Sequence, residues 1–130
     1  MNKEKLVKEY YKVYGDKINS AICLIDQFGV NEFAWDFTDV FDAVEILKQK
    51  KIKITGGDVL YNDNGKIDYA YVFWSTDKVQ DVYKESIENI KKFEKYKDKE
   101  NYLFVLIFPY NEYMNLGPDD KDVIYIHWLF

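Results

Sequence analysis

The spacing of apolar side chains changes along the chain, and each change marks a new element. Over residues 3–14, Leu6, Tyr10 and Val13, with Val7, Tyr11 and Tyr14, recur every three or four positions, which predicts an amphipathic helix ended by Gly15. A second helix over 17–28 is expected to start near Asp16, turn Ile18, Ala21, Ile22 and Ile25 to one side, and stop at Gly29, where a left-handed cap costs glycine nothing. Val30 to Trp35 then reads as a short extended link. Asp36 or Thr38 is suited to cap a third helix over 38–50. Its buried stripe would be Val40, Phe41, Val44 and Leu47, and the lysines at 48, 50 and 51 would favour the negative end of its dipole.

From Lys51 the period falls to two. IKITGGDVLY and KIDYAYVFWS, separated by NDNG, predict two strands over 52–60 and 66–75 joined by a tight turn. Alternation along the second strand puts Ile67, Tyr69, Tyr71 and Phe73 on one face, and Asp68, Ala70, Val72 and Trp74 on the other. Both faces are partly apolar, so one covers the core while the other leaves rings exposed near Asp58 and Asp68. Gly56 and Gly57 inside the first strand indicate a bulge or a close backbone approach, with Asp58 re-aimed by it.

Asp77 with Gln80 forms a capping box for a long helix over 78–97, in which Val79, Tyr83, Ile87, Ile90 and Phe93 recur at helical spacing. YLFVLIFPY, over 102–110, is apolar on both alternating faces and reads as a central strand covered on both sides. VIYIHWLF, over 123–130, reads as a further strand, after a loop rich in Gly, Pro and Asp. The order of elements predicts one α+β domain over 1–130: an antiparallel sheet of about four strands with helices packed on it.

Composition narrows the function classes. All 18 basic residues are lysine, so no guanidinium fork is present to clamp a phosphate or a guanine edge, and the net charge of −5 disfavours nucleic acid. The acids are segregated: Asp26, Glu32, Asp36, Asp39, Asp42 and Glu45 lie in one stretch without a base, and Glu112 to Asp122 carries four acids against Lys121. Such runs are either solvated faces with helix-end charges or a lure for a basic partner. No apolar run nears the roughly 20 residues that span a bilayer, and MNKEKLVKEYYKVYG lacks the apolar core of a signal peptide, so a cytoplasmic protein without membrane association is expected. The single cysteine, Cys23, reads as a small core residue.

Catalytic patterns are weak by comparison. His127 is the only histidine, which removes two-histidine metal sites, and a structural role suits it better than a catalytic one. NDNGKID lacks the acids of a calcium loop at the positions of Leu60 and Tyr71. GGD at 56–58 lacks the second acid of the cyclase signature, where Val59 stands. No phosphate-cradling glycine motif occurs. An enzyme reading would have Glu32, Asp36 and Asp58 gather as general acid and base or as a Mg²⁺ site.

GVNEFAW, IKITGGDVLY and GKIDYAYVFW together resemble the immunity protein 40 family of bacterial polymorphic-toxin systems. The matching positions are Gly29, Asn31, Glu32, Gly56, Gly57, Asp58, Val59, Gly65, Lys66, Tyr69 and Trp74; Tyr71, Val72 and Phe73 depart from its more polar approach to the Trp. The resemblance implies a small cytoplasmic antidote, not an enzyme and without a cofactor, that binds a cognate toxin domain and occludes it. With the aromatic and acidic hairpin, it marks Glu32, Asp36, Asp58, Tyr69 and Trp74 as candidate partner-binding residues. A housekeeping interaction adaptor is the reading that sequence leaves beside it.

Overall fold

In the computed structural model, which describes residues 2–109, helix α1 (Lys3–Tyr14) begins at Asn2, whose side chain accepts from the Lys5 amide at 2.8 Å. It ends at Gly15, φ 59°, where glycine carries no Cβ penalty. Lys50 Nζ donates to the carbonyls of Lys12 and Val13, bringing a cation to the negative end of the α1 dipole.

The expected second helix over 17–28 is replaced by three short pieces: a 3-10 turn (Gly15–Ser20), a two-residue strand β1 (Ile22–Cys23) and a single turn α2 (Ile25–Phe28). Tertiary pairing overrides the helical spacing here, because Ile22 and Cys23 pair with Ala34 and Phe33 of β2 (Phe33–Asp36). The supposed stripe is divided between the two sides of the sheet: Ile18 and Ala21 pack into the main core and Ile22 into a second cluster. Gly29 does take the left-handed cap, φ 65° and ψ 21°. The extended link before Asp36 is likewise a sheet strand, so β1 and β2 bring the strands among the described residues to five.

Helix α3 (Val40–Gln49) buries Val40, Ala43, Val44 and Leu47. Strand β3 (Gly56–Asp63) starts four residues later than expected, because Ile52 donates to the Leu47 carbonyl and Thr55 to Ile107 before the ladder begins. Asn64 (φ 53°) and Gly65 (φ 95°) form the two-residue turn into β4 (Lys66–Ser75); two central residues with positive φ match the twist of a hairpin. Helix α4 (Val82–Lys91) is shorter than the spacing predicts. Its cap is Asp81, which accepts from the Lys84 amide at 3.1 Å, and Asp77 lies in the preceding turn. After Lys91 the chain tightens into i to i−3 bonds, which let Phe93 reach Tyr102 and Phe104 at ring centroid distances of 4.8 and 5.4 Å.

The open antiparallel sheet has the order β1-β2-β5-β3-β4, with β5 (Tyr102–Ile107) between β2 and β3. One face, through Trp35, Val59, Trp74, Phe104 and Leu106, packs against α1, α3 and α4. The other, through Leu60, Leu103 and Val105, is covered in part by Leu24, Phe28 and Val30. β5 is thus the doubly covered strand that its apolar run indicates. The expected strand at 123–130, His127 and the acidic run Glu112 to Asp122 lie outside the described residues.

Candidate functional site

Among the described residues strand β4 is an edge of the sheet, and its two faces have different fates. Gly57 and Trp74 are cross-strand partners on the helical face, where the indole lies over the bare glycine: a Cβ there would come within 2.2 Å of the ring. The Trp74 side chain is 8% exposed and its Nε1 donates to Ser86 Oγ at 3.2 Å, deep in the core. The paired glycines therefore serve close approach, and not a bulge. Strand β3 keeps regular register through them on both sides.

The irregularity is in β4 instead. Val59 pairs with Val72 and Leu60 with Tyr69, so Ala70 and Tyr71 have no partners in β3. Two extra residues preserve the alternation of faces. Ala70 and Trp74 share a face, as the sequence alternation predicts, and that face points to the helical core, while Ile67 and Tyr69 lie on the outer face with Leu60. Tyr71 takes φ 57° and stands out at 88% exposure, with Phe73 at 76% and Tyr69 at 48%.

At the foot of this aromatic row is an open pocket of about 50 Å³. Its apolar wall is Leu24, Phe28 and Val30 on one side, with Leu60 and Val105 from the sheet on the other; Glu32, Asp58 and Tyr69 supply its polar groups. Asp58 is half-buried, set between Val105 of β5 and Phe73 of β4 in the strand register. Glu32 is held by its backbone, whose carbonyl accepts from the Leu24 amide at 3.0 Å and thereby fixes the 24–30 segment beside it. The Tyr69 ring packs edge-on against Phe28, with centroids 5.1 Å apart. Its hydroxyl is held above the usual tyrosine range, first by burial and then by the negative charges of Glu32, Asp58 and Asp68.

Of the five residues that the sequence marks, the structure brings Glu32, Asp58 and Tyr69 together and leaves two elsewhere. Trp74 is a core residue, on the opposite face. Asp36 is used locally: its Oδ1 accepts from the amides of Thr38 and Asp39 at 3.0 and 2.7 Å, holding the turn into α3. The acidic stretch 26–45 is correspondingly broken up, since Lys17 Nζ pairs with Asp39 and Asp42 at 2.7 and 3.0 Å, and Lys3 with Asp26 at 3.9 Å. Phe28, Tyr71 and Phe73 are additional members of the site. Alternation with Tyr69 signals the last two; Phe28 is hidden by the helical spacing of its segment.

The arrangement is suited to contact. Small-molecule sites usually enclose roughly 300–1,000 Å³, so a 50 Å³ recess admits the end of a side chain and little more. None of the described residues that line it is basic. Among the described residues, no three His, Cys, Asp or Glu side chains converge to hold a metal ion, and no helix is long and apolar enough to cross a membrane.

Comparison with known proteins finds a match to the family model described as Immunity protein 40, over residues 24–108. That span runs from the first pocket residue, Leu24, to Phe108 just beyond β5, and contains the whole hairpin. No curated protein and no solved structure matches.

Proposed function

The chain belongs to the immunity protein 40 family, and from that premise we propose that it neutralises a cognate polymorphic-toxin domain by binding it, with the outer face of the β3–β4 hairpin as the contact surface. Family membership points to a non-enzymatic role and to a protein partner. The observation that carries the choice of surface is the row Tyr69, Tyr71 and Phe73, exposed on a strand whose opposite face is committed to the core. Exposed rings beside Asp58 and Glu32 combine apolar anchors with a polar rim, the composition on which binding energy concentrates. Neutralisation follows from occlusion, in the cytoplasm of the cell that makes the toxin, and needs no cofactor. An interface of roughly 1,200–2,000 Å² would spread beyond this row onto neighbouring surface.

Co-expression with the toxin domain encoded directly upstream tests the reading. The wild-type chain is expected to permit growth and to co-purify with that domain. Tyr71→Ala with Phe73→Ala is expected to abolish protection while leaving the melting temperature within a few degrees, since both rings are already in solvent. Full protection by a folded double variant would move the contact surface elsewhere.

A further inference from the structure

Strand β4 is ten residues long and, among the described residues, has β3 as its one strand neighbour. A long edge with apolar side chains ordinarily invites another strand, from a partner or from a second copy. The two-residue bulge works against that. Residues 66–69 pair with 60–63 and residues 72–75 with 56–59, so the regular edge is cut into two stretches of four, each shorter than the ordinary strand of about 5–6 residues. At the cut Tyr71 takes φ 57°, which turns its peptide groups out of the alternation that an added strand must match.

The same residue leads the outer face. The Tyr71 ring is almost wholly exposed and lies 6.4 Å from that of Tyr69, which is itself braced against Phe28 at 5.1 Å. A ring held forward on a constrained backbone is a preorganised knob, and its complement is a recess. A second copy of this chain does not supply enough surface. Tyr69, Tyr71 and Phe73 together offer roughly 300–500 Å², so two copies meeting on the row alone would bury roughly 600–1,000 Å² in all, short of the roughly 1,200–2,000 Å² of a stable pair. Two chains of net charge −5 would also repel each other. We infer that the toxin is recognised face-on: a folded surface with an apolar recess takes the Tyr71 ring, and no strand is added to the β4 edge.

This inference rests on the proposed docking face, and the experiment separates the two. The upstream toxin domain, inactivated at its own active site, is titrated by calorimetry against the wild-type chain, Tyr71→Asn and Phe73→Ala, and backbone amide exchange is followed in the free chain and in the complex. Asparagine tolerates the positive φ and has no ring, so Tyr71→Asn is expected to bind roughly thirty-fold more weakly while its melting temperature holds or rises. No alternating protection is expected at the β4 amides that face away from β3. Such protection in the free chain would seat a segment of the chain itself, such as 123–130, on the edge, and protection that arises only in the complex would mean strand addition by the toxin; either overturns the inference. A dimer of the free chain that Phe73→Ala dissolves would put a second copy on the row and overturn it as well. So would a lower melting temperature of Tyr71→Asn, because the ring would then serve the fold. If Phe73→Ala weakens binding and Tyr71→Asn does not, the docking face stands and the Tyr71 recess is overturned. If both variants bind as the wild type does, or the wild type does not bind, the docking face falls and the face-on reading with it.

Discussion

Gly57→Ala is the sharpest test of how the hairpin is locked to the core. The added methyl carbon would lie 2.2 Å from Cη2 and Cζ2 of Trp74 and 2.6 Å from Cζ3, where ordinary carbon contacts begin near 3.4 Å. More than an ångström must be found, and Gly57 sits in a strand paired on both sides, so the indole has to move. Moving it strains a packed ring and stretches the 3.2 Å bond from Nε1 to Ser86. Overpacking costs about 1–3 kcal/mol and the lost bond about 1 kcal/mol, so the loss should be about 2–4 kcal/mol. At roughly 4 °C per kcal/mol, the melting temperature should fall by roughly 8–16 °C. Urea denaturation followed by tryptophan fluorescence reads this directly, with the midpoint shifted and the slope unchanged. Gly15→Ala is the control for backbone strain without a clash, since nothing lies within 4 Å of its Cβ position and only the positive φ opposes it; it should cost about 1–3 kcal/mol, and that cost should be the same in the wild-type and Trp74→Phe backgrounds. In a Trp74→Phe background, which lacks the clashing ring atoms, Gly57→Ala should cost at least 1 kcal/mol less than in the wild type. An equal cost in both backgrounds would refute the reasoning.

Two further outcomes are expected. Ser86→Ala should destabilise by about 1–2 kcal/mol, because Ser86 is fully buried, accepts from Trp74 and donates to the Val82 carbonyl at 2.8 Å, and its removal leaves an indole N–H without its acceptor; wild-type urea stability in this variant would contradict the geometry. Tyr69 should ionise above the ordinary tyrosine range in an ultraviolet titration, and Asp58→Asn should bring it back towards that range. Because the folded state holds the phenol proton more tightly, it binds more protons than the unfolded chain once pH passes about 10, and stability contributed by Tyr69 is lost as pH rises through the folded value; a Tyr69 titration indifferent to Asp58→Asn would mean that the two groups do not face each other.

Local pattern determines much of this molecule and fails where partners are distant in sequence. The hairpin is readable from NDNG and the alternation on either side of it, and α1 from its spacing and Gly15. The doubly apolar run at 102–107 announces a central strand, because only burial on both faces tolerates it. The segment 17–28 misleads because its apolar residues are spaced for a helix yet serve both sides of a sheet, through pairing with residues ten or more positions away. No helical period encodes that. Long helix boundaries are overread for a related reason: Phe93 continues the α4 stripe, but it reaches the sheet through a 3-10 style bend that leaves the helical axis. At the site, the face containing Tyr69 is legible, whereas the burial of Trp74 is not, since both faces of β4 are aromatic and composition does not say which one meets the helices. The paired glycines hold that answer. A bare backbone opposite an indole marks the side on which the ring is stacked inward.

The extra pair Ala70 and Tyr71 explains how one strand buries one face and exposes the other. A one-residue bulge would reverse the alternation beyond it, turning either Trp74 outward or Tyr69 inward, and the sheet would lose its largest edge side chain or the recess its rim. Two extra residues restore parity, so Ile67, Tyr69 and Phe73 remain outside and Trp74 inside. Among the described residues β4 has one strand neighbour, so the interrupted ladder forgoes bonds to β3 alone. Its cost is the positive φ of Tyr71, a conformation that a bulky side chain adopts at roughly 1–2 kcal/mol. The fold gains nothing from that expense, because the Tyr71 ring is almost wholly in solvent and packs only loosely against Tyr69, with centroids 6.4 Å apart. On the proposed docking face, the strain is accounted for by what Tyr71 presents, an exposed ring next to that of Tyr69. On the proposed reading, stability and recognition fall on alternate positions of the same strand, the outer face being left to suit a partner while Gly57, Trp74 and Ser86 hold the scaffold.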